Sequence, residues 1–124
     1  MDASADKVMD IAQEGHRAYE RGDYDEARRL FRIAADHGNT WAQSWLGFMY
    51  EEGRGVEKDH AEALRLYRLA ADQGYAWAQC SLGLMHKEGR GVEQDYAEAL
   101  RLYRLAADQG DARAQYNLGL MYEK

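Results

Sequence analysis

The sequence has no proline, only one cysteine and no apolar run long enough to cross a membrane. The single cysteine, Cys80, excludes an intramolecular disulfide and fits a reducing compartment. The first residues, MDASADKVMD, lack the apolar centre of a secretion signal. These absences predict a soluble, cytoplasmic protein that carries no secretion signal.

Basic residues are outnumbered by acidic ones, 16 against 22, which gives a formal net charge of −6. An acidic chain is poorly suited to a nucleic-acid backbone or an anionic membrane, so neither is expected as a partner. Apolar residues make up 46% of the chain and charged residues 31%, and Ala, Leu, Glu and Arg are prominent. Together with the absence of proline, this composition favours a helical protein over a sheet protein.

Patterns that carry catalysis are also missing. The sequence has no Walker A motif, no G-x-S-x-G motif and no H-E-x-x-H motif. The histidines, His16, His37, His60 and His86, do not have metal-ligand spacing, and Cys80 has no histidine beside it. The sequence therefore predicts no enzyme activity, no metal and no cofactor, with a thiol-dependent enzyme as a remote alternative.

What the sequence does contain is an internal repeat with a period of 36 residues. The segment AEALRLYRLAADQG occupies both Ala61–Gly74 and Ala97–Gly110, and GRGVE precedes each copy, starting at Gly53 and at Gly89. A fixed period of this length is typical of solenoid arrays, in which each unit is stable only against its neighbours. We therefore predict a single repeat domain, 1–124, made of units 1–38, 39–74 and 75–110 and a terminal half-unit 111–124.

Each unit is predicted to contain two helices, an A helix followed by a B helix. A B helix starts at an aspartate with a glutamate three residues later, which is typical of a capping box, and it stops at a glycine. The starts are Asp23, Asp59 and Asp95, and the stops are Gly38, Gly74 and Gly110. The A helices are predicted to end at about Arg21 in the first unit and to cover Thr40–Glu52, Tyr75–Glu88 and Asp111–Glu123 in the others. Glycines inside two A helices, Gly47 and Gly83, indicate close contact between helices.

The residues at these repeated positions resemble two related families. The first unit is similar to a tetratricopeptide repeat, through Gly15, Gly22, Tyr24, Ala27, Phe31 and Ala34. The next unit resembles the Sel-like repeat, through Ala42, Leu46, Gly47, Tyr50, Gly53, Gly55, Val56, Asp59, Ala63, Tyr67, Ala70, Ala71 and Gly74. The same pattern recurs from Ala78 to Gly110, with His86 in place of the tyrosine. Glu57 and Glu93 depart from the family, since many Sel-like repeats have proline there.

This resemblance implies an all-α fold, an α-solenoid of stacked antiparallel helix pairs in a right-handed superhelix of about seven helices. It also implies an adaptor or scaffold that binds another protein, as a peptide or a helix, on a concave face lined by the A helices. Carried over onto this sequence, the binding positions are His16, Tyr19, Trp41, Ser44, Trp45, Phe48, Trp77, Cys80, Leu84, Arg113, Tyr116, Asn117 and Leu120, with Met9, Ala12 and Ser81 in the same set.

Three alternatives stay open at this point. Trp41 and Trp77 open their helices, so they can instead pack against the preceding B helix. The array can be a structural or engineered self-assembling one with no natural ligand. The terminal helix keeps apolar residues such as Leu118 and Leu120, so a homodimer through its outer face is a further alternative.

Overall fold

The computed structural model describes residues 3–123, with side chains from residue 6 onward. Within that range it contains seven α-helices joined by short loops and no strand. The helices are α1 (Ala3–Glu20), α2 (Tyr24–Asp36), α3 (Thr40–Glu52), α4 (His60–Asp72), α5 (Ala76–Glu88), α6 (Tyr96–Asp108) and α7 (Ala112–Tyr122). The A helices are α1, α3, α5 and α7, and the B helices are α2, α4 and α6. Over the same residues, none of the helices is both long and apolar enough to cross a membrane.

The predicted starts of the B helices are confirmed. Asp23, Asp59 and Asp95 each accept a hydrogen bond from the backbone N–H three residues later, at 3.3, 3.0 and 3.0 Å. The glutamate at that position forms an ion pair with an arginine one turn further along, as in Glu98–Arg101 at 2.7 Å. Each B helix therefore begins with a side-chain cap and a surface ion pair, and both favour the helix.

The predicted ends of the B helices are confirmed as well. Gly38, Gly74 and Gly110 have φ angles of 88°, 90° and 90°, in the left-handed region where a side chain is strained. Because these glycines turn the chain at once, each B helix is followed by the next A helix after a very short loop.

The described chain divides into two compact units, one ending at Leu66 and one beginning at Tyr67, so the boundary lies within α4. In the first unit, Phe31, Leu46 and Met49 are buried together with Leu66 and a set of alanines. In this core a few large side chains fill the space between small ones, which lets the helices approach closely.

The second unit has a core of the same kind around α5, α6 and α7. Tyr103 and Cys80 are buried there among alanines, and Leu118 and Met121 of α7 pack against them half-buried. The tyrosine of the repeated segment is thus a core residue at Tyr103.

A glycine inside an A helix lets the following B helix come close, as predicted at Gly83. A methyl carbon added to Gly83 would lie 2.9 Å from Cε1 of Tyr103, closer than packed carbon atoms can approach. The same pairing occurs in the first unit, where a methyl carbon on Gly15 would lie 3.0 Å from Cδ1 of Phe31. In both pairs the aromatic ring of a B helix occupies the space that a side chain would take.

Candidate partner-binding surfaces on the A helices

In the first unit, five predicted binding residues from α1 and α3 come together. The ring of His16 lies 5.2 Å from that of Trp41 and 5.1 Å from that of Trp45. The ring of Tyr19 lies 4.9 Å from Trp45 and 6.5 Å from Phe48. All five side chains are half-buried, so each keeps part of its ring accessible. We refer to these five residues as the α1–α3 aromatic surface.

Phe31 of α2 lies beneath this surface. Its ring stacks on Trp45 at 6.0 Å and meets Trp41 edge-on at 6.4 Å. Both tryptophans therefore pack in part on the preceding B helix, as the alternative interpretation of Trp41 requires, while remaining half-buried. Because stacked and edge-on aromatic pairs have defined geometry, Phe31 fixes the position of the two indole rings.

One edge of the α1–α3 aromatic surface carries charge. Arg54 donates a hydrogen bond to the Tyr24 hydroxyl at 3.1 Å and lies over that ring, whose centroid is 5.1 Å from that of Tyr19. Burial is the main cause that raises the pKa of the Tyr19 phenol, so Tyr19 is a neutral hydrogen-bonding group at pH 7. The surface thus combines apolar rings with one hydroxyl and one nearby guanidinium group.

In the second unit, predicted residues of α5 and α7 meet around Trp77. The Arg113 guanidinium lies over the Trp77 ring at 5.4 Å from its centroid and donates hydrogen bonds to the Trp77 carbonyl at 3.2 Å and the Ser81 hydroxyl at 3.4 Å. The ring of Trp77 also meets Tyr67 edge-on at 5.8 Å. Leu84, two turns beyond Trp77 along α5, is half-buried. These contacts hold Trp77 between a core tyrosine and an exposed arginine.

Ser44 and Cys80 were predicted as binding residues, but both are buried. Ser44 donates a hydrogen bond to the Thr40 carbonyl at 3.0 Å, and the Asn117 amide donates one to the Cys80 sulfur at 3.7 Å. Burial raises the pKa of the Cys80 thiol, so thiolate is scarce at pH 7. Neither side chain contributes accessible surface, and Cys80 lacks the environment of a nucleophile.

Two predicted residues of α7 are exposed rather than clustered. Tyr116 is 68% exposed and Leu120 is 41% exposed. Leu120 also lines a cavity of about 470 Å³ together with Lys87, Tyr96 and Met121. This end of the second unit therefore presents an open apolar face.

The last two residues of the wider predicted set are in α1, where Met9 is exposed and Ala12 is buried.

A repeated arginine–tyrosine contact was missed by the sequence analysis. Arg32 of α2 donates a hydrogen bond to the Tyr50 hydroxyl at 3.0 Å, and Arg104 of α6 does the same to Tyr122 at 3.0 Å. In both pairs the guanidinium lies over the ring, at 5.9 and 5.7 Å from its centroid. The sequence does contain a signal for this contact, namely the recurring spacing. Each arginine precedes its tyrosine by 18 residues, and the two pairs are two repeats apart.

No constellation for metal chemistry is assembled: over residues 3–123, no group of three or more His, Cys, Asp or Glu side chains is placed to hold a metal ion. The side chains on the A helices are instead aromatic, aliphatic and hydrogen-bonding. Such a set can hold a peptide or a helix, and it provides no acid–base pair next to a nucleophile.

The repeat pattern matches a known family along most of the chain. The model of the Sel1 repeat family matches residues 12–39, 42–75, 78–111 and 112–124. No curated protein matches the chain.

Solved structures of repeat proteins are similar to this one. A Sel1 repeat protein from Oxalobacter formigenes is 36% identical with a TM-score of 0.86, over 100% of this chain and 53% of that one. The protective antigen c5321 of uropathogenic Escherichia coli strains, which displays an SLR fold, is 37% identical with a TM-score of 0.82, over 90% of this chain and 25% of that one. This chain thus spans about half of the first relative and a quarter of the second.

A more distant likeness supports the fold alone. The Helicobacter pylori cysteine rich protein B is 20% identical with a TM-score of 0.71, over 92% of this chain and 96% of that one. Together with the helices described above, these likenesses confirm the predicted all-α, α-solenoid class. The right-handed superhelix and the predicted unit boundaries stay predictions.

Proposed function

Because the chain belongs to the Sel1 repeat family, whose members are generally protein–protein interaction modules, we propose that it is an adaptor that binds another protein through its A helices. The observation that carries the proposal is the α1–α3 aromatic surface, in which five aromatic side chains from two A helices meet while remaining half-buried. A partner supplied as a peptide or a helix fits such a surface.

The chemistry of this surface supports binding. Tryptophan and tyrosine are the side chains that most often dominate an interface, especially when they are held in place before the partner arrives. Trp45 is held by its stacking on Phe31 and by its contact with Tyr19. Because the rings are already ordered, little side-chain entropy is lost when an apolar segment of a partner covers them.

The surface around Trp77 is a second contact region in the same proposal. Its exposed group is Arg113, which also lies over the Trp77 ring. An arginine on an aromatic ring presents an apolar face together with hydrogen-bond donors. Asn117 is half-buried one turn along the helix and adds a polar group to this region.

The remaining parts of the proposal concern activity, partner class and location. We propose no catalytic role, supported by the buried Cys80 thiol and its raised pKa. The net charge of −6 supports a protein partner over a nucleic acid or an anionic membrane. A cytoplasmic location is proposed from the single cysteine.

A second candidate, a self-pairing array, is favoured by the exposure of Tyr116 and Leu120 on α7.

The test is a peptide-display selection against the wild type and a Trp45→Ala/Phe48→Ala variant. We expect a shared apolar motif to be enriched on the wild type and to bind the variant at least about tenfold more weakly, as for interface hot spots. A matched control is Leu105→Ala, which truncates an exposed leucine on the B helix α6. Circular dichroism checks that all three proteins are helical.

The outcomes separate the possibilities. A motif that binds the Trp45→Ala/Phe48→Ala variant as tightly as the wild type contradicts the α1–α3 aromatic surface as the binding site. Enrichment of no motif on any of the three proteins contradicts the adaptor proposal and favours the self-pairing array.

A further inference from the structure

The A helices of the first unit carry an excess of acidic side chains that those of the second unit lack. Helices α1 and α3 together contain six acidic residues and two basic ones, whereas α5 and α7 contain one acidic residue and two basic ones. The excess extends to the whole units, since residues 1–66 have 14 acidic and 9 basic residues and residues 67–124 have 8 and 7. The α1–α3 aromatic surface therefore lies on the acidic helices of the chain, where a positively charged ligand is attracted.

Two glutamates bring negative charge to the α1–α3 aromatic surface itself. A carboxylate oxygen of Glu20 lies 3.8 Å from Nδ1 of His16, and 66% of the Glu20 side chain is exposed. The charge of Glu52 acts on the Tyr19 phenol, as does the opposite charge of Arg54. The rim of the surface is thus acidic beside His16 and of mixed charge beside Tyr19.

The second unit shows how an arginine fits an indole ring of this array. The Arg113 guanidinium lies over the Trp77 ring at 5.4 Å from its centroid and donates hydrogen bonds to a carbonyl oxygen and a hydroxyl oxygen. Three further arginines lie over tyrosine rings at 5.7 to 5.9 Å, namely Arg32, Arg54 and Arg104. A guanidinium group on an aromatic ring is therefore a contact that these repeats form again and again.

We propose that the α1–α3 aromatic surface binds an arginine side chain of a partner protein, on a segment in which apolar residues flank the arginine. The guanidinium group lies over the Trp45 ring, next to His16 and Tyr19, and pairs with the Glu20 carboxylate. The apolar residues cover the remaining rings. Arginine fits both contacts, because its planar group stacks on aromatic faces and its donors match a carboxylate. This site rests on the proposed adaptor function and gives its partner a defined chemistry.

Other occupants fit this surface less well. Two copies of the chain repel each other, because each has a net charge of −6. A wholly apolar segment forms no ion pair with Glu20, and a lysine has the charge but lacks the planar fork. The rings come from both α1 and α3, and α2, which joins these helices, supplies Phe31 beneath them. The site is thus a junction between helices and not the outer face of a last one.

The probe is the blocked peptide acetyl-Gly-Leu-Arg-Leu-Gly-amide, compared with the same peptide in which citrulline replaces arginine. Citrulline has nearly the same shape but carries no charge. Each peptide is titrated into the intact, isotope-labelled protein, and the indole N–H signals of the three tryptophans are followed by NMR. We expect saturable shifts at Trp45, with the arginine peptide bound at least about threefold more tightly. This preference is expected to shrink as salt rises from about 50 to about 500 mM.

The matched protein variants are Glu20→Gln and Asp36→Asn, which change the net charge equally. The two side chains are 66% and 65% exposed, but Asp36 belongs to the B helix α2 and lies 4.0 Å from Arg32. Glu20→Gln is expected to reduce the preference for arginine to less than about twofold, and Asp36→Asn is expected to leave it unchanged. Trp45→Leu keeps an apolar side chain without the ring and is expected to lower the preference as well. Circular dichroism checks that each variant is helical.

Four results would overturn the arginine site. They are equal binding of the two peptides, binding of neither peptide, an equal loss of preference in Glu20→Gln and Asp36→Asn, and indole signals that shift with protein concentration alone. The third would mean that only net charge matters, and the fourth that a second copy occupies the surface.

The display selection tests the adaptor function separately. An enriched motif that depends on Trp45 and Phe48 but contains no basic residue would overturn the arginine site and leave the adaptor function standing. Enrichment of no motif contradicts the adaptor function itself, so the two failures are distinguishable.

Discussion

At the scale of single residues, two glycines one repeat apart differ in what surrounds them, so the same substitution is expected to have opposite effects. Gly83→Ala gains helix propensity, but its methyl group would meet the Tyr103 ring at 2.9 Å. Overpacking of this kind costs about 1–3 kcal/mol, which exceeds the gain in propensity. Gly119→Ala meets nothing within 4 Å and is expected to stabilise the protein by about 0.5–1 kcal/mol.

Urea unfolding of the two variants and the wild type measures this difference. The comparison is matched because both sites lie in A helices with the same local sequence, L-G-L-M. Equal changes in the free energy of unfolding would contradict the close packing of Gly83 on Tyr103.

The buried hydroxyl of Tyr103 has no hydrogen-bond partner within the described residues. Burial raises the pKa of Tyr103 from 10.0 to about 12. The folded-state pKa of Tyr103 is higher than the unfolded-state one. The contribution of this phenol to the free energy of unfolding is therefore fully present below pH 10 and is lost as the pH rises towards about 12. We expect Tyr103→Phe to be at least as stable as wild type at pH 7 and to reduce the alkaline loss of stability by on the order of 2 kcal/mol.

Unfolding curves recorded from pH 8 to 11.5 test this expectation. Tyr116→Phe is the control, since it removes the hydroxyl of a tyrosine that is 68% exposed. If the two variants have the same pH dependence, Tyr103 is not the group responsible.

Sequence reasoning placed residues on the correct helices but could not give their depth. Ser44 of α3 and Cys80 of α5 were predicted to contribute to the binding surface, yet both are buried. The half-buried state of Trp45 depends on its stacking with Phe31, a side chain from another helix. Such contacts depend on the three-dimensional packing of several elements, which periodicity within one helix does not contain.

At the scale of helices, the side-chain caps make a separable contribution to stability. Asp95 accepts a hydrogen bond from the backbone N–H of Glu98 at 3.0 Å. Asp95→Ala removes this bond and is expected to cost about 1 kcal/mol, whereas Asp95→Asn keeps an acceptor and is expected to cost only a few tenths. Thermal unfolding of both variants measures the difference, and an equally large loss in both would point to charge rather than capping.

The helix boundaries were largely predictable because their signals are local. The A helix predicted over Thr40–Glu52 has those bounds in α3, where Asn39 caps the first turn by accepting from the N–H of Ala42 at 2.7 Å. In α5 the corresponding residue is Tyr75, which makes no such bond. Its helix nevertheless begins at Ala76, so packing of the repeat replaces a missing local signal there.

At the scale of the whole molecule, the proposed adaptor and the alternative self-pairing array differ in how the protein behaves with concentration. A self-pairing array would associate through the exposed residues of α7, including Tyr116 and Leu120. The adaptor proposal predicts a monomer across a concentration series in sedimentation velocity. A dimer that Leu120→Glu separates, and that the exposed-surface control Leu105→Glu does not, would support self-pairing instead.

The positions of the three tryptophans also determine what intrinsic fluorescence can report. Trp41 and Trp45 belong to the α1–α3 aromatic surface, and Trp77 lies under Arg113. All the indole emission of this chain therefore originates at proposed contact regions rather than in a remote core. A partner that covers the rings changes their polarity and their access to quenchers, so binding can be followed by intrinsic fluorescence without a label.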